Sequence, residues 1–178
     1  RFQPFHTGHL SMAKDLFDMN GFPCVVVVVH PGHNKSGNSP FQVSTIKTVL
    51  NNLPEETEGL VKDYCFIKRG FIYDAIEKVR ELGYEPILWG AGKDRIEDYK
   101  KQLELNFKKN NELRLSDNFQ LVQTDRYGSG TEVRKALSDD SFGKFKGLVP
   151  KSVLGAYNLL RTDIENAKRE AEIRSKEQ

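Results

Sequence analysis

Apolar residues recur at helical spacing over residues 9–19, where Leu10, Ala13, Leu16 and Phe17 share one face before Gly21-Phe22-Pro23 ends the pattern. The next segment, Cys24-Val25-Val26-Val27-Val28-Val29-His30, reads as a strand. Its β-branched run has no polar alternation, which predicts burial on both faces, the condition of a central parallel strand covered by helices. Tyr64-Cys65-Phe66-Ile67, Pro86-Ile87-Leu88-Trp89 and Phe119-Gln120-Leu121-Val122 are shorter stretches of the same kind. Helical spacing predicts helices over about 42–53, 71–83 (Ile72, Ile76, Val79), 94–109 (Ile96, Tyr99, Leu103, Phe107), 131–138 and 150–161. Strand and helix alternate, so the expected fold is α/β, a doubly wound parallel sheet flanked by helices. That domain is expected to span residues 1–161. Residues 162–178 differ: from Asp163 onward they are almost wholly charged or small, with Ile164 and Ile173 the only large apolar side chains. They read as an exposed helix or a frayed tail, solvated or docked on a partner subunit.

Composition narrows the function classes. The 178 residues carry 27 Lys+Arg against 25 Asp+Glu, a formal net charge of +2, with 38% hydrophobic residues. A chain of this length buries roughly 70% of its unfolded surface, enough for a core without disulfides or structural metal. The longest apolar run, Cys24 to Val29, is far short of the ~18 residues of a membrane span. No secretory leader pattern opens the chain, so a cytoplasmic protein without membrane partners is expected. Basic and acidic residues are interleaved, which predicts no nucleic-acid footprint. Cys24 and Cys65 stand apart in apolar stretches, as buried, reduced thiols do.

The residue types that carry chemistry sit at helix starts. Arg1-Phe2-Gln3-Pro4-Phe5-His6-Thr7-Gly8-His9 leads straight into the first helix. Two histidines separated by a small residue and a glycine at a loop-to-helix junction point both imidazoles into one site where negative charge is favoured. Gly8 lets a base or phosphate approach the backbone. Gly128-Ser129-Gly130-Thr131-Glu132-Val133-Arg134 opens another helix. There Thr131 is placed to cap the helix and face a phosphate, and Arg134 returns to the same mouth one turn on. An ordinary N-cap is the plain alternative. Trp89-Gly90-Ala91-Gly92-Lys93-Asp94-Arg95 follows a strand at the carboxyl edge where open α/β sheets bind ligands. Lys93 and Arg95 suit phosphate there, and Trp89 either stacks on a base or belongs to the core. The alternative is a plain turn capped by Asp94. His30-Pro31-Gly32-His33-Asn34-Lys35 ends a strand at the same edge. No carboxylate or cysteine nearby completes a metal set for its histidines, so Lys35 is the better contact, for a phosphate or an acceptor. Gly32, Ser36 and Gly37 suggest a loop that closes over substrate.

Together these motifs resemble the HxGH-motif nucleotidylyltransferase superfamily, nearest its archaeal-type nicotinamide-mononucleotide adenylyltransferases. The opening nonapeptide is similar to their GRFQPxHxGH, Ser129 to Arg134 to their SGTEIR, Leu148 to Val153 to their LVPKSV, and Ser39-Pro40-Phe41 to their NPF, so the resemblance covers about residues 1–160. It implies a Rossmann-like fold and in-line attack of an acceptor phosphate on the α-phosphate of a nucleoside triphosphate, with pyrophosphate leaving and no covalent enzyme intermediate. By this resemblance His6, His9 and Arg134 are catalytic, with both histidines as phosphate donors and not metal ligands. Arg1, Phe2, Gln3, Thr7, Gly8, Gly90, Lys93, Asp94, Arg95, Ser129 and Thr131 bind the nucleotide, and Lys35 and Trp89 the acceptor. ATP with Mg²⁺, nicotinamide mononucleotide as first acceptor, and a homo-oligomer are the implied cofactor and partners.

Two departures bear on this. The resemblance places a central strand and a glycine before Arg1, where this chain opens, and it aligns Thr45 and Ile46 with the family's acid-arginine pair, leaving Lys47 one residue out of register. Adenylyl or cytidylyl transfer to a different phosphorylated acceptor therefore stays open, as does a non-catalytic nucleotide-binding or assembly subunit.

Overall fold

β1 (Cys24–Val29) divides its side chains between two cores. In the computed structural model, which describes residues 2–30, 39–124 and 130–177, Val26 and Val28 enter a cluster with Phe5, Phe41, Phe145 and Leu160. Val25, Val27 and Val29 lie against a second cluster built on Ile72, Ile76, Trp89 and Tyr99. A strand covered on both sides has no position to give to water, which is why its sequence lacks polar alternation. β2 (Val61–Ile67) pairs with β1 in parallel. β3 (Leu88–Ala91) and β4 (Gln120–Gln123) form a second parallel pair. The architecture is α/β, parallel strands flanked by helices in the Rossmann-like manner.

One continuous sheet was the expectation, and here the structure differs: the described strands form two separate two-stranded sheets, β1-β2 and β3-β4. α1 (Thr7–Asn20) packs against both β1 and β3 and so ties the halves together. A continuous sheet would need a strand paired to β1 and β3 at once, and the described residues contain none. Close contact of α1 with β3 is made at Gly90. A Cβ there would lie 2.8 Å from Leu16 Cδ1 and 3.2 Å from Thr124 Cγ2. Gly90, expected in a nucleotide-binding turn, thus serves helix–sheet packing. β3 begins two residues later than its sequence pattern suggests because Pro86 has no N–H to give the ladder.

α4 (Ile72–Glu81) and α5 (Lys93–Lys108) cover the second cluster. The other cluster is covered by α1, α2 (Val43–Asn51), α3 (Leu53–Glu56), α6 (Gly130–Ser138), α7 (Phe142–Lys146) and α8 (Lys151–Leu154). The pattern over 42–53 covers two helices, since α2 ends at Asn51 and Pro54 stands in the first turn of α3. The helix expected over 150–161 is likewise broken at Gly155. α9 (Tyr157–Glu177) then runs unbroken through position 161. Its Leu160, Asp163 and Ile164 are buried, so the charged segment enters the core for its first two turns. Farther on it is exposed, Ile173 included. No helix among the described residues is long and apolar enough to cross a membrane.

Candidate nucleotide site

His6 caps α1 with its own ring. The Gly8 N–H donates to His6 Nδ1 at 3.1 Å, and the His6 N–H donates to His9 Nδ1 at 3.1 Å, a reciprocal capping box made of two histidines. An imidazole nitrogen that accepts an amide proton carries none itself, so each neutral ring holds its proton on Nε2. The rings stack with centroids 3.7 Å apart, and Phe2 and Phe5 pack on His9 at 4.5 Å and 5.3 Å. Burial first, and then the neighbouring charge of His6, holds His9 well below its ordinary value of 6.5. At neutral pH His9 is therefore an uncharged N–H donor, suited to stabilising phosphate oxygens without giving up a proton.

The first-turn amides of α1 are already used. Thr7 N–H donates to Leu148 O at 3.1 Å, Gly8 N–H to His6, and His9 N–H to His6 O at 3.0 Å. The Thr7 hydroxyl also donates to Leu148 O, at 3.2 Å. Thr7, expected as a nucleotide contact, thus ties α1 to the turn before α8, and the rings of His6 and His9 are the donors still available at this helix end. Gly8 is buried beneath the capping ring.

Arg134 brings the second motif to the first. From α6 its Nη1 donates to Gln3 O at 2.8 Å, joining residues 131 apart in sequence, and its Nη2 donates to Thr131 Oγ1 at 3.2 Å. Burial lowers the guanidinium from its ordinary value, and among the described residues no ion pair neutralises it. A half-buried guanidinium with no carboxylate partner among the described residues is suited to holding an anion. Gly130 makes room for it, since a Cβ there would lie 2.8 Å from Arg134 Nη1. Thr131 lies inside α6, which starts at Gly130, so it is not the N-cap expected of it.

Gln3 turns inward. It is 5% exposed, and its Oε1 accepts from the fully buried Phe41 N–H at 3.1 Å. Its side chain, expected at the nucleotide, acts here as a strut to the residues before α2. His30 belongs to the same network, bonding Phe41 O through Nε2 at 3.1 Å. Trp89, expected at the acceptor, is buried in the α4–α5 core. Lys93, Asp94 and Arg95 are exposed in the first turn of α5 beside the carboxyl edge of β3. Gly92 and not Asp94 is the N-cap there. Arg95 lies over Gly70, where a Cβ would meet its Nη1 at 2.1 Å and push that flexible guanidinium aside. Thr45 and Ile46, aligned with the family's acid-arginine pair, are buried, and Lys47 stands over the Phe66 ring at 5.6 Å. Arg1, Lys35 and Ser129 lie outside the described residues, as do His33 and the glycine-rich stretch around it.

Sequence reasoning missed three participants: the Gln3 side chain as a strut, His30 as its neighbour, and Asp163. Asp163 Oδ2 accepts from the Gln42 N–H at 3.0 Å. Leu160 and Ile164, four residues apart, were the available sign that a buried helical face continues past position 161. Among the described residues no three His, Cys, Asp or Glu side chains come together as a metal-ligand set.

A comparison with curated proteins gives no match. The family model for cytidylyltransferase-like proteins matches residues 1–136, which takes in the histidine-capped start of α1 and the α6 segment bearing Arg134. With that span covering most of the chain and both halves of the site, the protein belongs to the cytidylyltransferase-like family of nucleotidyltransferases.

Proposed function

We propose that this nucleotidyltransferase moves the adenylyl group of ATP to a phosphorylated acceptor, nicotinamide mononucleotide first, releasing pyrophosphate and forming NAD. The observation that carries the reading is the Arg134–Gln3 hydrogen bond, which sets a half-buried cation beside the segment that delivers His6 and His9. An acceptor phosphate oxygen attacks the α-phosphorus in line, the bond to the bridging oxygen of the β-phosphate breaks, and pyrophosphate departs with that electron pair. His9, held neutral, donates through Nε2 to the oxygens where charge builds, and Arg134 neutralises the triphosphate. Lys93 and Arg95 extend the cationic edge toward the phosphates. Mg²⁺ would enter with ATP and supply positive charge at the phosphates, and because imidazole and guanidinium donors offer it no oxygen ligand, the triphosphate and water would hold it. A cytoplasmic location, expected from the sequence pattern, and a homo-oligomer, expected from the family resemblance, accompany this reading.

A second reading has its own support. Thr45 and Ile46 are sealed in the core at the position of the nicotinamide branch's acid-arginine pair, which favours a different acceptor or CTP as donor. The test is product analysis by mass spectrometry with Mg²⁺, ATP or CTP, and nicotinamide mononucleotide or other sugar phosphates, beside His9→Ala. NAD that appears with the wild type and vanishes in the variant supports the first reading. Another nucleotide product transfers support to the second, and no product from folded, ATP-binding protein overturns turnover altogether.

A further inference from the structure

Asp163 is 6% exposed, and no ion pair among the described residues involves it. Burying a carboxylate without a cation costs stability, so its return has to come from the bond it makes. That bond is to the Gln42 N–H, 3.0 Å away, at the N-terminus of α2, where Gln42 provides no side-chain cap. The partial positive charge of the helix end compensates the carboxylate, and the carboxylate fixes the amide. The adjacent amide, Phe41 N–H, donates to Gln3 Oε1 at 3.1 Å, and Gln3 O receives Arg134 Nη1 at 2.8 Å. Three hydrogen bonds thus lead from α9 to the cation of the candidate site.

The same helix also holds α6 from its far end. Arg161 Nη1 donates to Leu137 O, and Arg161 Nε lies 3.3 Å from Asp140 Oδ1. Residues two apart on a helix point roughly 200° apart, so Arg161 and Asp163 grip structure on opposite sides of α9. One clamp fixes α6 and the other fixes the residues before α2, and the two lines meet at the Arg134–Gln3 contact.

We propose that Asp163 is a positioning residue for the nucleotide site, setting Arg134 through Gln42, Phe41 and Gln3. The proposal rests on the nucleotidyltransferase reading and touches no reacting atom. Its test compares Asp163→Leu, which keeps bulk and removes the acceptor, with Asp163→Asn, which keeps an acceptor and removes the charge. Amide hydrogen exchange is read without nucleotide, followed by ATP·Mg²⁺ titration and steady-state kinetics.

In Asp163→Leu, exchange should rise about tenfold in residues 40–43 and also in the first turn of α6, with β1 and β2 unchanged. The KM for ATP should rise about tenfold with kcat altered less, since Arg134 holds the triphosphate in ground and transition states alike. Asp163→Asn should recover most of both effects. Should the leucine variant fail to fold, Gln42→Pro removes the donor of the same bond while leaving the carboxylate, and the same exchange pattern is expected. Exchange confined to residues 40–43 and α9, or an asparagine variant as impaired as leucine, overturns the proposal while ATP binding by the wild type keeps the reading intact. Failure of the wild type to bind ATP·Mg²⁺ overturns the reading and this proposal with it.

Discussion

Gly130→Ala should weaken nucleotide binding while leaving the protein folded. A Cβ at this position would sit 2.8 Å from Arg134 Nη1, about 0.6 Å short of the 3.4 Å at which ordinary contact begins, and 3.4 Å from Gln3 O, which needs no adjustment. The guanidinium is the end of a flexible side chain, so it yields and the backbone does not. A displacement of that size stretches the 2.8 Å bond to Gln3 O to about 3.4 Å, beyond the good range for an N–H···O bond. A hydrogen bond involving a charged group contributes about 1.5–3 kcal/mol, and alanine in a helix returns up to about 1 kcal/mol relative to glycine. Chemical denaturation should therefore find a net loss under about 2 kcal/mol. ATP·Mg²⁺ titration should find affinity reduced about tenfold, equivalent to about 1.4 kcal/mol, because Arg134 no longer points where Gln3 aimed it. The double variant Gly130→Ala/Arg134→Met should bind no worse than Arg134→Met alone, since both act on one group. Unchanged affinity in folded Gly130→Ala refutes the argument, as does a double variant that loses affinity additively.

Protonation of His9 links stability to pH. Its folded value lies below the ordinary 6.5, so the folded state binds fewer protons than the unfolded state as pH falls through 6.5. Stability is then fully present above that value and should fall toward acid, by at most about 1.4 kcal/mol per pH unit. Denaturation curves at pH 7.5, 6.5 and 5.5 should show a steeper decline in the wild type than in His9→Gln, and equal slopes count against the burial argument. Gln3→Met removes the acceptor of the Phe41 amide at matched volume. Leaving that fully buried N–H unpaired should cost about 1–3 kcal/mol, read as a melting temperature lower by roughly 2–12 °C. A melting point within a degree of wild type contradicts the strut role. At Gly90, valine should destabilise by more than alanine, because α1's Leu16 side chain yields to one methyl more readily than to three carbons. Identical melting points for the two variants indicate that the α1–β3 contact is looser than its distances imply.

Local features of this chain were legible because local physics fixes them. The β-branched run at Cys24–Val29, the helical spacing of Ile72, Ile76 and Val79, and the histidine and SGTEVR motifs at two helix starts are properties of neighbours in sequence. They determined the α/β class and most elements to within a few residues. Contacts between distant segments were not legible, and those decided the individual roles. Gln3 and Trp89 have side chains suited to a ligand as well as to an interior, and only tertiary packing placed them in the core. Gly90 has the freedom a phosphate turn needs, yet the group that approaches it is Leu16. Asp163 stands in a charged run that reads as solvated, and it is buried because an amide at the start of α2 meets it 121 residues away. Periodicity records whether a position faces inward, whereas what it meets there depends on which elements the chain brings together. The sequence by itself therefore determined the class of fold and the residue types available for phosphate chemistry, while the tertiary structure decided which of them face the site and which hold it in shape.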